Sequence, residues 1–518
     1  MGFFLKTKNI RFSTGGRLVA AIREDEAFHY GIQAGDKVQI VFSKKKSLIC
    51  DIEFSSTLKP GYLGIYKEIT EKFDVESEDI IELNLVSRPL SIEAIKKKMR
   101  GEDLNYEEIH SIMSDIVQGR MGEVELTYFA MSSFVRPYTE DELYYLTKAM
   151  AETGEMINLP EKVVDKHCIG GLAGNRTTMV VIPIIASLGL IIPKTSSRAI
   201  TSPSGTADTM EVLAPVSFSM EEIKKIVRKT NGCMVWGGGL NLAPADDKII
   251  RVSRPLAMEP YDKMIVSIMA KKVAMGVDHL MIDIPVGPSA KVPNMKVGKL
   301  VGDKFKRLGA RFGIKVGINL SDAKQPVGNG IGPALEARDV LRVLQQHQYR
   351  PMDLENKAIH LAAGILELKG VCRKGQGEKL AREQLKNGKA WDKMNEIIIA
   401  QGGKADISSE EVIKKVVKYQ VLAEKSGEIT YIDSKAINAV CMNLGTPKDK
   451  YAGMHMHCRY GQKIKKGEKL FTLYASNATR LKLGIASITH NQLVYFGETG
   501  IKRTESRNNV PGILLGKK

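Results

Sequence analysis

Apolar and polar positions change their spacing along the 518-residue chain, and these changes mark its organisation. Short β-branched and apolar runs alternate with glycine and charged turns through residues 1–86, which predicts a β-rich domain. Apolar residues three or four positions apart predict helices up to about residue 158 and again in residues 244–275. Between these two helical segments, and after the second one, strands and helices alternate as in an α/β domain with a largely parallel sheet. Strands and turns predominate in residues 425–518.

Several elements can be placed from this pattern. Thr139 precedes three acidic residues and then Leu143, which predicts a capped helix start. Pro89 cannot continue a strand ladder, so residues 87–89 are predicted to be a linker. The clearest strands are expected at residues 18–22, 37–42, 48–54, 80–86, 280–285 and 315–320, and the clearest helices at 335–346 and 357–368.

Residues 165–211 concentrate groups that bind phosphate. Lys166 leads into a glycine-rich loop at residues 170–174, and a helix is expected to begin at Thr177. A strand expected at residues 190–193 leads to a second polar loop, residues 196–206. Glycine lets backbone N–H groups approach an anion, and a helix N-terminus adds about half a positive charge. Two such loops predict a substrate with two phosphates, or a phosphate ester used with inorganic phosphate.

Charge and composition narrow the class of partner. The formal net charge is +17, and a basic balance either attracts nucleic acid or steers small anions. The chain has no zinc-finger spacing, no RNA-recognition aromatic pattern and only 6% aromatic residues. We therefore expect small anionic substrates and no nucleic acid.

Composition also bears on location and metals. The apolar run at residues 179–192 is interrupted and falls short of the roughly 20 residues that span a membrane. The N-terminus lacks a signal-peptide pattern, and six cysteines are scattered without CxxC spacing, so we expect a cytoplasmic protein. The segment His455 to Cys458 packs ligand types too tightly for a usual zinc site, and we expect no metal.

Five motifs, in order along the chain, resemble the thymidine phosphorylase family. They are Lys166-His167-x-x-Gly170-Gly171, Ser196-x-Arg198, Gly205-Thr206-x-Asp208-x-x-Glu211, Leu242 to Asp246, and Ser267 to Lys272. The forms Lys-His-Cys-Ile-Gly-Gly and Ser-Ser-Arg-Ala-Ile-Thr-Ser are similar to the AMP phosphorylase branch of that family. The match runs from about residue 88 to the C-terminus.

The resemblance implies a multidomain α/β fold. The branch has an extra N-terminal domain, which residues 1–86 would supply, and the segment 31–40 is similar to double-psi β-barrel domains. Residues 88–160 with 244–275 would form a small helical domain, and residues 161–243 with 276–424 a large α/β domain. Residues 425–518 would form a C-terminal α+β domain. In the resembled fold the active site lies in the cleft between two domains.

The resemblance also implies roles for the phosphate-binding stretch. Lys166, Thr178 and Ser196 would bind inorganic phosphate, and a lysine offers it a compact positive charge. Hydroxyl groups suit this task because they bind phosphate without proton transfer, although singly they are more often cap or turn residues. The nucleotide would contact Gly171, Ser197, Arg198, Ala199, Ile200, Thr201, Ser202 and Thr206, with Thr206 also near the phosphate.

Three further residues bear on the nucleotide. Ser267 and Lys271 lie four apart and share a helix face; in nucleoside-specific relatives these positions read the base. The arginine that joins them there falls at Val252 in this chain, so the preferred base is left open. Lys291 matches a position that the AMP branch uses near the nucleotide, which implies a 5′-phosphate on the substrate. His167 either contacts the base or satisfies core backbone groups.

Glu259 aligns with the aspartate that donates a proton in the AMP branch. Protonating the departing base lowers the barrier to bond cleavage, and general acid catalysis contributes typically ~10²–10⁴-fold. Burial would have to raise the pKa of the glutamate for this role. The alternative is a structural acid at a helix start before Pro260.

Together these features predict phosphorolysis of nucleoside 5′-monophosphates (AMP, also CMP and UMP) to free base and ribose 1,5-bisphosphate. Inorganic phosphate would be the co-substrate, with no other cofactor, and we expect a homodimer or larger homo-oligomer. One alternative is a pyrimidine-nucleoside phosphorylase. Another is a nucleotide- or RNA-binding protein on the same scaffold.

Overall fold

The chain folds into two compact units. The computed structural model describes residues 2–42, 46–87, 89–157, 159, 161–199, 202–253, 260–414 and 416–497. The described residues up to Gly154, with Ala243–Ser267, form the first unit; Glu155–Leu242 and the described residues from Ile268 onward form the second. The predicted domain boundaries stay predictions, because each unit combines more than one predicted domain.

Six strands close a barrel at the start of the first unit. They are β1 (Phe3–Ile10), β2 (Val19–Arg23), β3 (Lys37–Val41), β4 (Ser47–Ser55), β5 (Tyr62–Tyr66) and β6 (Ile80–Leu85). Their order is β1-β5-β2-β4-β3-β6, with β1/β5 and β2/β4 parallel and the other pairs antiparallel. Alternate residues point inward, so Val38 and Ile40 are fully buried. The expected barrel-like domain is confirmed.

The sequence pattern located four of these strands but not β1 or β5. In β1, Leu5 and Thr7 face the core while Lys6 and Lys8 are exposed, so the alternation is present but its inward positions include the polar Thr7. Two short helices, α1 (Glu24–Tyr30) and α2 (Lys67–Phe73), were also not expected.

Four helices follow in the first unit: α3 (Ser91–Met99), α4 (Tyr106–Gln118), α5 (Glu123–Val135) and α6 (Glu140–Glu152). The predicted cap at Thr139 is confirmed, because its hydroxyl accepts from Glu142 N and Glu142 accepts from Thr139 N. Glu142 also accepts from the buried Lys98, with Nζ 2.7 Å from both carboxylate oxygens. The cap and the buried ion pair fix the start of α6.

The second unit opens with alternating strands and helices. They are β7 (Val163–Cys168), α7 (Thr177–Ser187), β8 (Ile192–Ser196), α8 (Thr206–Met210), α9 (Met220–Thr230) and β9 (Gly232–Trp236). The expected helices in residues 244–275 follow as α10 (Pro244–Ser253) and α11 (Tyr261–Ala274), and the boundary between the two units falls within α11.

The α/β pattern then resumes. Its elements are β10 (Val277–Val286), α12 (Met295–Arg311), β11 (Lys315–Asp322), β12 (Gly330–Ile331), α13 (Pro333–Leu344), α14 (Met352–Lys369), α15 (Gly377–Lys386) and α16 (Lys389–Ala400). The predicted strands at 280–285 and 315–320 are the centres of β10 and β11. Both predicted helices are likewise confirmed, as α13 and most of α14.

The strands β7 to β11 run parallel, and β12 pairs antiparallel with a later strand. The order β11-β10-β7 forms one sheet and β8-β9 another, and a parallel bridge between Val163 and Ile191 links β7 to β8. The carboxyl ends of these strands therefore point the same way, and in parallel α/β sheets ligands bind at that edge. The apolar helix α7 is buried along nearly its whole length beneath them.

The remaining elements complete an α+β part. They are β13 (Val417–Leu422), β14 (Gly427–Ile432), α17 (Ser434–Leu444), β15 (Gly453–Met456), β16 (Lys463–Ile464), β17 (Lys469–Ala475), α18 (Ala478–Thr489) and β18 (Val494–Phe496). One sheet has the order β12-β15-β17-β13 and another β16-β14-β18. The strand-and-turn pattern had not revealed α17 and α18. The expected multidomain α/β fold with barrel, helical, α/β and α+β parts is confirmed.

Candidate active site

Lys166 lies near the carboxyl end of β7 with a fully buried side chain. Its Nζ donates to the hydroxyls of Thr177 at 2.8 Å and Thr178 at 3.2 Å, the first two residues of α7. Burial lowers the pKa of Lys166, because the ammonium has lost water and gained neutral hydroxyls in return. An ammonium at a helix N-terminus, with two hydroxyls beside it, is suited to hold an anion.

The glycine loop between β7 and α7 packs against Lys291. Gly170 and Gly171 have φ of 89° and 86°, in the left-handed region that favours glycine. A Cβ on Gly171 would lie 2.9 Å from the backbone N of Lys291 and 3.1 Å from its Cγ. Only glycine therefore allows the Lys291 side chain to lie along this loop. The structure thus brings together two residues that the sequence placed 120 positions apart.

A buried carboxylate joins β7, β8 and α11. Asp165 Oδ2 accepts from Lys272 Nζ at 2.5 Å, and its Oδ1 lies 3.3 Å from Lys194 Nζ. Lys194 also donates to the backbone oxygen of Lys166 at 2.8 Å. Burial lowers the pKa of Lys194 to about 7, although Asp165 opposes the shift. Lys194 thereby ties the end of β8 to the residue that would hold phosphate.

His167 sits beside this cluster. Burial, together with the charges of Lys194 and Lys272, lowers the pKa of His167 well below its ordinary value. The imidazole is therefore neutral at physiological pH, and its buried Nδ1 has no hydrogen-bond partner among the described residues. Both readings of His167, base contact and backbone satisfaction, stay open.

A second buried carboxylate supports the glycine loop from β10. Asp283 accepts from Asn175 at 3.2 Å, Asn319 at 3.0 Å and Ser321 at 2.9 Å, and forms an ion pair with Lys357 at 2.9 Å. Burial opposes ionisation of Asp283, but Lys357 and Lys166 outweigh it and lower its pKa to about 2. Asp283 is thus charged and holds the loop through Asn175.

The loop after β8 is organised by Asp208 at the start of α8. Asp208 Oδ2 accepts from Ala199 N at 2.7 Å and from Gly205 N at 2.8 Å. A Cβ on Gly205 would lie 2.6 Å from the backbone oxygen of Ser197, so the loop passes too close for any side chain there. Asp208 and Gly205 therefore hold residues 197–199 close to the start of α8.

The predicted donors of this loop differ in their engagement. Ser196 donates to Ser197 O at 3.2 Å, Ser197 is exposed, and Ser202 donates to Ser204 O at 3.1 Å. Arg198 makes two hydrogen bonds to Glu211, at 2.7 and 2.8 Å. The charge of Arg198 is thus balanced by Glu211.

Arg176 was not singled out from the sequence, where it looks like one more polar loop residue. Its Nη1 donates to Thr206 Oγ1 at 3.2 Å and its Nη2 to the backbone oxygen of Ser204 at 2.9 Å. Its Nε forms an ion pair with Glu336 of α13. Four further charged residues were not predicted either, because their partners are distant in sequence: Asp165, Lys194, Asp283 and Lys357.

The remaining predicted residues lie elsewhere. Within the first unit, Ser267 donates to Asp246 Oδ2 at 2.6 Å. Lys271 is half-buried on α11 in the second unit. Ile200, Thr201 and Glu259 lie outside the described residues.

Neither a metal-ion site nor a membrane-spanning helix is found among the described residues. Among the described residues no group of three or more histidine, cysteine or acidic side chains is arranged to hold a metal ion. No helix within the described ranges is long and apolar enough to cross a membrane.

Family models match three parts of the chain. The helical bundle domain of a glycosyl transferase family matches residues 92–154, and the a/b domain of a glycosyl transferase family matches residues 160–391. The pyrimidine nucleoside phosphorylase C-terminal domain matches residues 428–493. The fold and these matches define a glycosyltransferase with a phosphorylase-type C-terminal domain.

Curated relatives narrow this class of glycosyltransferase to one family. The AMP phosphorylase of Thermococcus sibiricus is 42% identical over 471 residues, covering 91% of this chain and 93% of the relative. That of Thermofilum pendens is 39% identical over 500 residues, 96% of both chains. That of Methanocaldococcus jannaschii is 42% identical over 451 residues, 87% of this chain and 89% of the relative. The chain belongs to the AMP phosphorylase family.

A solved structure is also similar. Anthranilate phosphoribosyltransferase from Thermus thermophilus aligns with a TM-score of 0.50 and 17% identity, covering 60% of this chain and 99% of that one. At this identity the likeness concerns the fold alone.

Proposed function

We propose that the protein catalyses phosphorolysis of nucleoside 5′-monophosphates, AMP among them. Inorganic phosphate attacks C1′ of the ribose, a C1′–O bond forms, the C1′–N bond breaks, and free base and ribose 1,5-bisphosphate leave. The observation that carries the proposal is the packing of Lys291 against Gly171, in the loop that follows the strand of the buried Lys166. Two cationic side chains at one glycine loop suit a reaction that joins two phosphate groups on one sugar.

On the inorganic phosphate side, Lys166 provides the charge and Thr178 a hydroxyl 3.2 Å from it. Ser196, at the end of the neighbouring strand, is proposed to add a third donor. Phosphate is already anionic, so the nucleophile needs neither a base nor a metal to become reactive. We therefore propose no cofactor beyond inorganic phosphate.

On the nucleotide side, Lys291 is proposed to contact the 5′-phosphate. A charge-assisted hydrogen bond to it would be worth about 1.5–3 kcal/mol. Gly171, the 197–202 segment and Thr206 are proposed to line the nucleotide, and Ser267 and Lys271 to read the base. The family's curated members are named AMP phosphorylases, which supports this class of substrate.

The leaving base must gain a proton as the glycosidic bond breaks. Glu259 is proposed as the donor, on the strength of its place in the sequence. Holding phosphate and nucleotide in line, and excluding water, would let phosphate instead of water attack the ribose while it is transiently positive.

Location and assembly are also proposed. The six cysteines are free thiols, four of them buried, which suits a reducing cytoplasm. A homodimer or larger assembly is supported by exposed aromatic residues on the barrel, where Phe4, Phe12 and Phe28 are 72–83% exposed. Size-exclusion chromatography with light scattering would reveal a monomer if the assembly proposal is wrong.

The substrate proposal is tested by assaying base release from AMP, CMP, UMP, adenosine and thymidine, with and without phosphate. We expect release from the monophosphates to require phosphate and to produce ribose 1,5-bisphosphate, identified by mass spectrometry. Turnover of thymidine in preference to every monophosphate would instead identify a pyrimidine-nucleoside phosphorylase. Tight RNA binding without turnover would identify a binding protein.

A further inference from the structure

Arg176 joins three segments of the second unit through one guanidinium. It lies immediately before α7, and its side chain is about nine-tenths buried. Nη1 reaches Thr206 at the start of α8, Nη2 reaches the backbone oxygen of Ser204, and Nε pairs with Glu336 on α13. A planar guanidinium presents its donors in a fixed fork, so the two Nη hydrogen bonds set each other's geometry, and the ion pair with Glu336 holds the charge beside them.

Glu336 is itself held in place. Its Oε1 accepts from Gly332 N at 3.0 Å, and its Oε2 lies 3.4 Å from the hydroxyl of Thr209. The carboxyl group is 1% exposed, and burial raises the pKa of Glu336, while Arg176 opposes the shift as the buried counter-ion. The ion pair therefore ties the guanidinium to α13.

The contact with Thr206 has a direction. Arg176 can only donate, so the Thr206 oxygen accepts and its own hydroxyl hydrogen is left to donate elsewhere. Accepting a hydrogen bond from a cation also polarises the hydroxyl, which strengthens it as a donor. The Thr206 O–H can therefore donate to an acceptor such as a phosphate or ribose oxygen.

We propose that Arg176 is a positioning residue, which fixes the Thr206 hydroxyl as a donor to the substrate. It rests on the proposed function, since it assigns Thr206 to the substrate site. Arg176 does not itself touch the reacting atoms. A lysine could keep the charge but not the simultaneous contacts with Thr206, Ser204 and Glu336.

A double-mutant cycle tests the proposal. Arg176→Met and Thr206→Val should each lower kcat/KM for AMP by roughly 10-fold or more, the scale of one charge-assisted hydrogen bond. Because both changes remove the same donor, the double variant should be little worse than the more damaged single variant. Losses that multiply would overturn the proposal.

Arg350→Met is the matched control. Arg350 also pairs with a buried glutamate, its Nε 2.6 Å from Glu355, but it lies on another part of the unit. The fold-losses of kcat/KM in Arg350→Met and in Thr206→Val should multiply in the double variant, because the two residues share no hydrogen bond among the described residues. If Arg176→Met does not fold, Arg176→Lys replaces it, and we expect the same lack of additivity.

Chemical rescue gives a second readout that a purely structural role would not move. Guanidinium at low millimolar concentration should partly restore kcat/KM of Arg176→Ala, whereas urea, planar but uncharged, should not. Equal effects of the two additives would contradict the proposal. The outcomes stay distinct from the function test: a wild-type protein inactive on AMP refutes the function, whereas an active one with additive losses refutes only the role of Arg176.

Discussion

Individual charged side chains at the proposed site are buried and balanced by named partners. Asp165 offsets Lys194 and Lys272, and Asp283 offsets Lys357 and part of the Lys166 charge. Among the described residues, the Lys166 ammonium donates its side-chain hydrogen bonds to the neutral hydroxyls of Thr177 and Thr178. A buried ammonium with neutral hydrogen-bond partners is costly unless an anion joins it. Lys166 is therefore the residue whose state should respond most to phosphate.

The lowered pKa of Lys166 predicts a pH dependence. Burial lowers this pKa below its ordinary value of 10.5, so the ammonium loses its proton at lower pH than an exposed lysine would. Phosphate binding needs the charged form, and kcat/KM for phosphate should therefore fall as pH rises through the lowered pKa. Inorganic phosphate becomes more negative, not less, as pH rises, so the fall would come from the protein.

The test compares kcat/KM for phosphate in the wild-type protein and in Lys166→Arg, at saturating AMP from about pH 7 to about pH 10. Arginine stays charged throughout this range. The variant, although less active, should lack the alkaline fall. The same fall in both proteins would assign it to another group.

Loops at the carboxyl ends of β7 and β8, together with the starts of α7 and α8, form the proposed site. The site depends on close backbone approach as much as on side chains. Gly205 shows this, because its position leaves no room for a Cβ against the backbone of residues 197–199.

Gly205→Ala should push the 197–199 segment away from α8. Overpacking of this kind costs typically about 1–3 kcal/mol. We expect a lower melting temperature and a raised KM for AMP, read by differential scanning calorimetry and initial rates. Gly239→Ala is the control, since its Cβ would meet a Trp236 ring carbon at an ordinary 3.6 Å. Similar effects of both variants would show that the fit at Gly205 has no special importance.

Elements with a strong local pattern were predicted well. Thr139 and its acids identified the start of α6, and the apolar run at residues 280–285 identified β10. The weakly apolar β1 was missed because its inward positions include Thr7 and its outward ones include Phe4.

The candidate site was predictable only in part. Lys166 and the glycine loop stand in one short segment, so spacing reveals them. The bond from Arg176 to Thr206 and the ion pair from Lys272 to Asp165 join residues 30 and 107 positions apart, and nothing in the local pattern specifies such pairs. The resemblance to a family supplied the role of Lys291, which the fold then brings to Gly171.

At the scale of the whole molecule, the net charge of +17 should steer anionic substrates. Salt screens such attraction beyond about 10 Å at 0.1 M ionic strength. We expect kcat/KM for AMP to fall as sodium chloride is raised, and single-stranded RNA to compete only weakly. Sub-micromolar, salt-sensitive RNA binding would point to a nucleic-acid partner instead.

Recognition of the substrate's 5′-phosphate is proposed to depend on Lys291. It is measured by the ratio of kcat/KM for AMP to that for adenosine, in the wild-type protein and in Lys291→Ala, with the exposed Lys299→Ala as control. We expect a strong preference for AMP in the wild type and the control. In Lys291→Ala the ratio should fall by roughly 10-fold or more, as expected for one lost charge-assisted contact. A ratio unchanged by Lys291→Ala, or no preference for AMP in the wild type, would contradict this proposal.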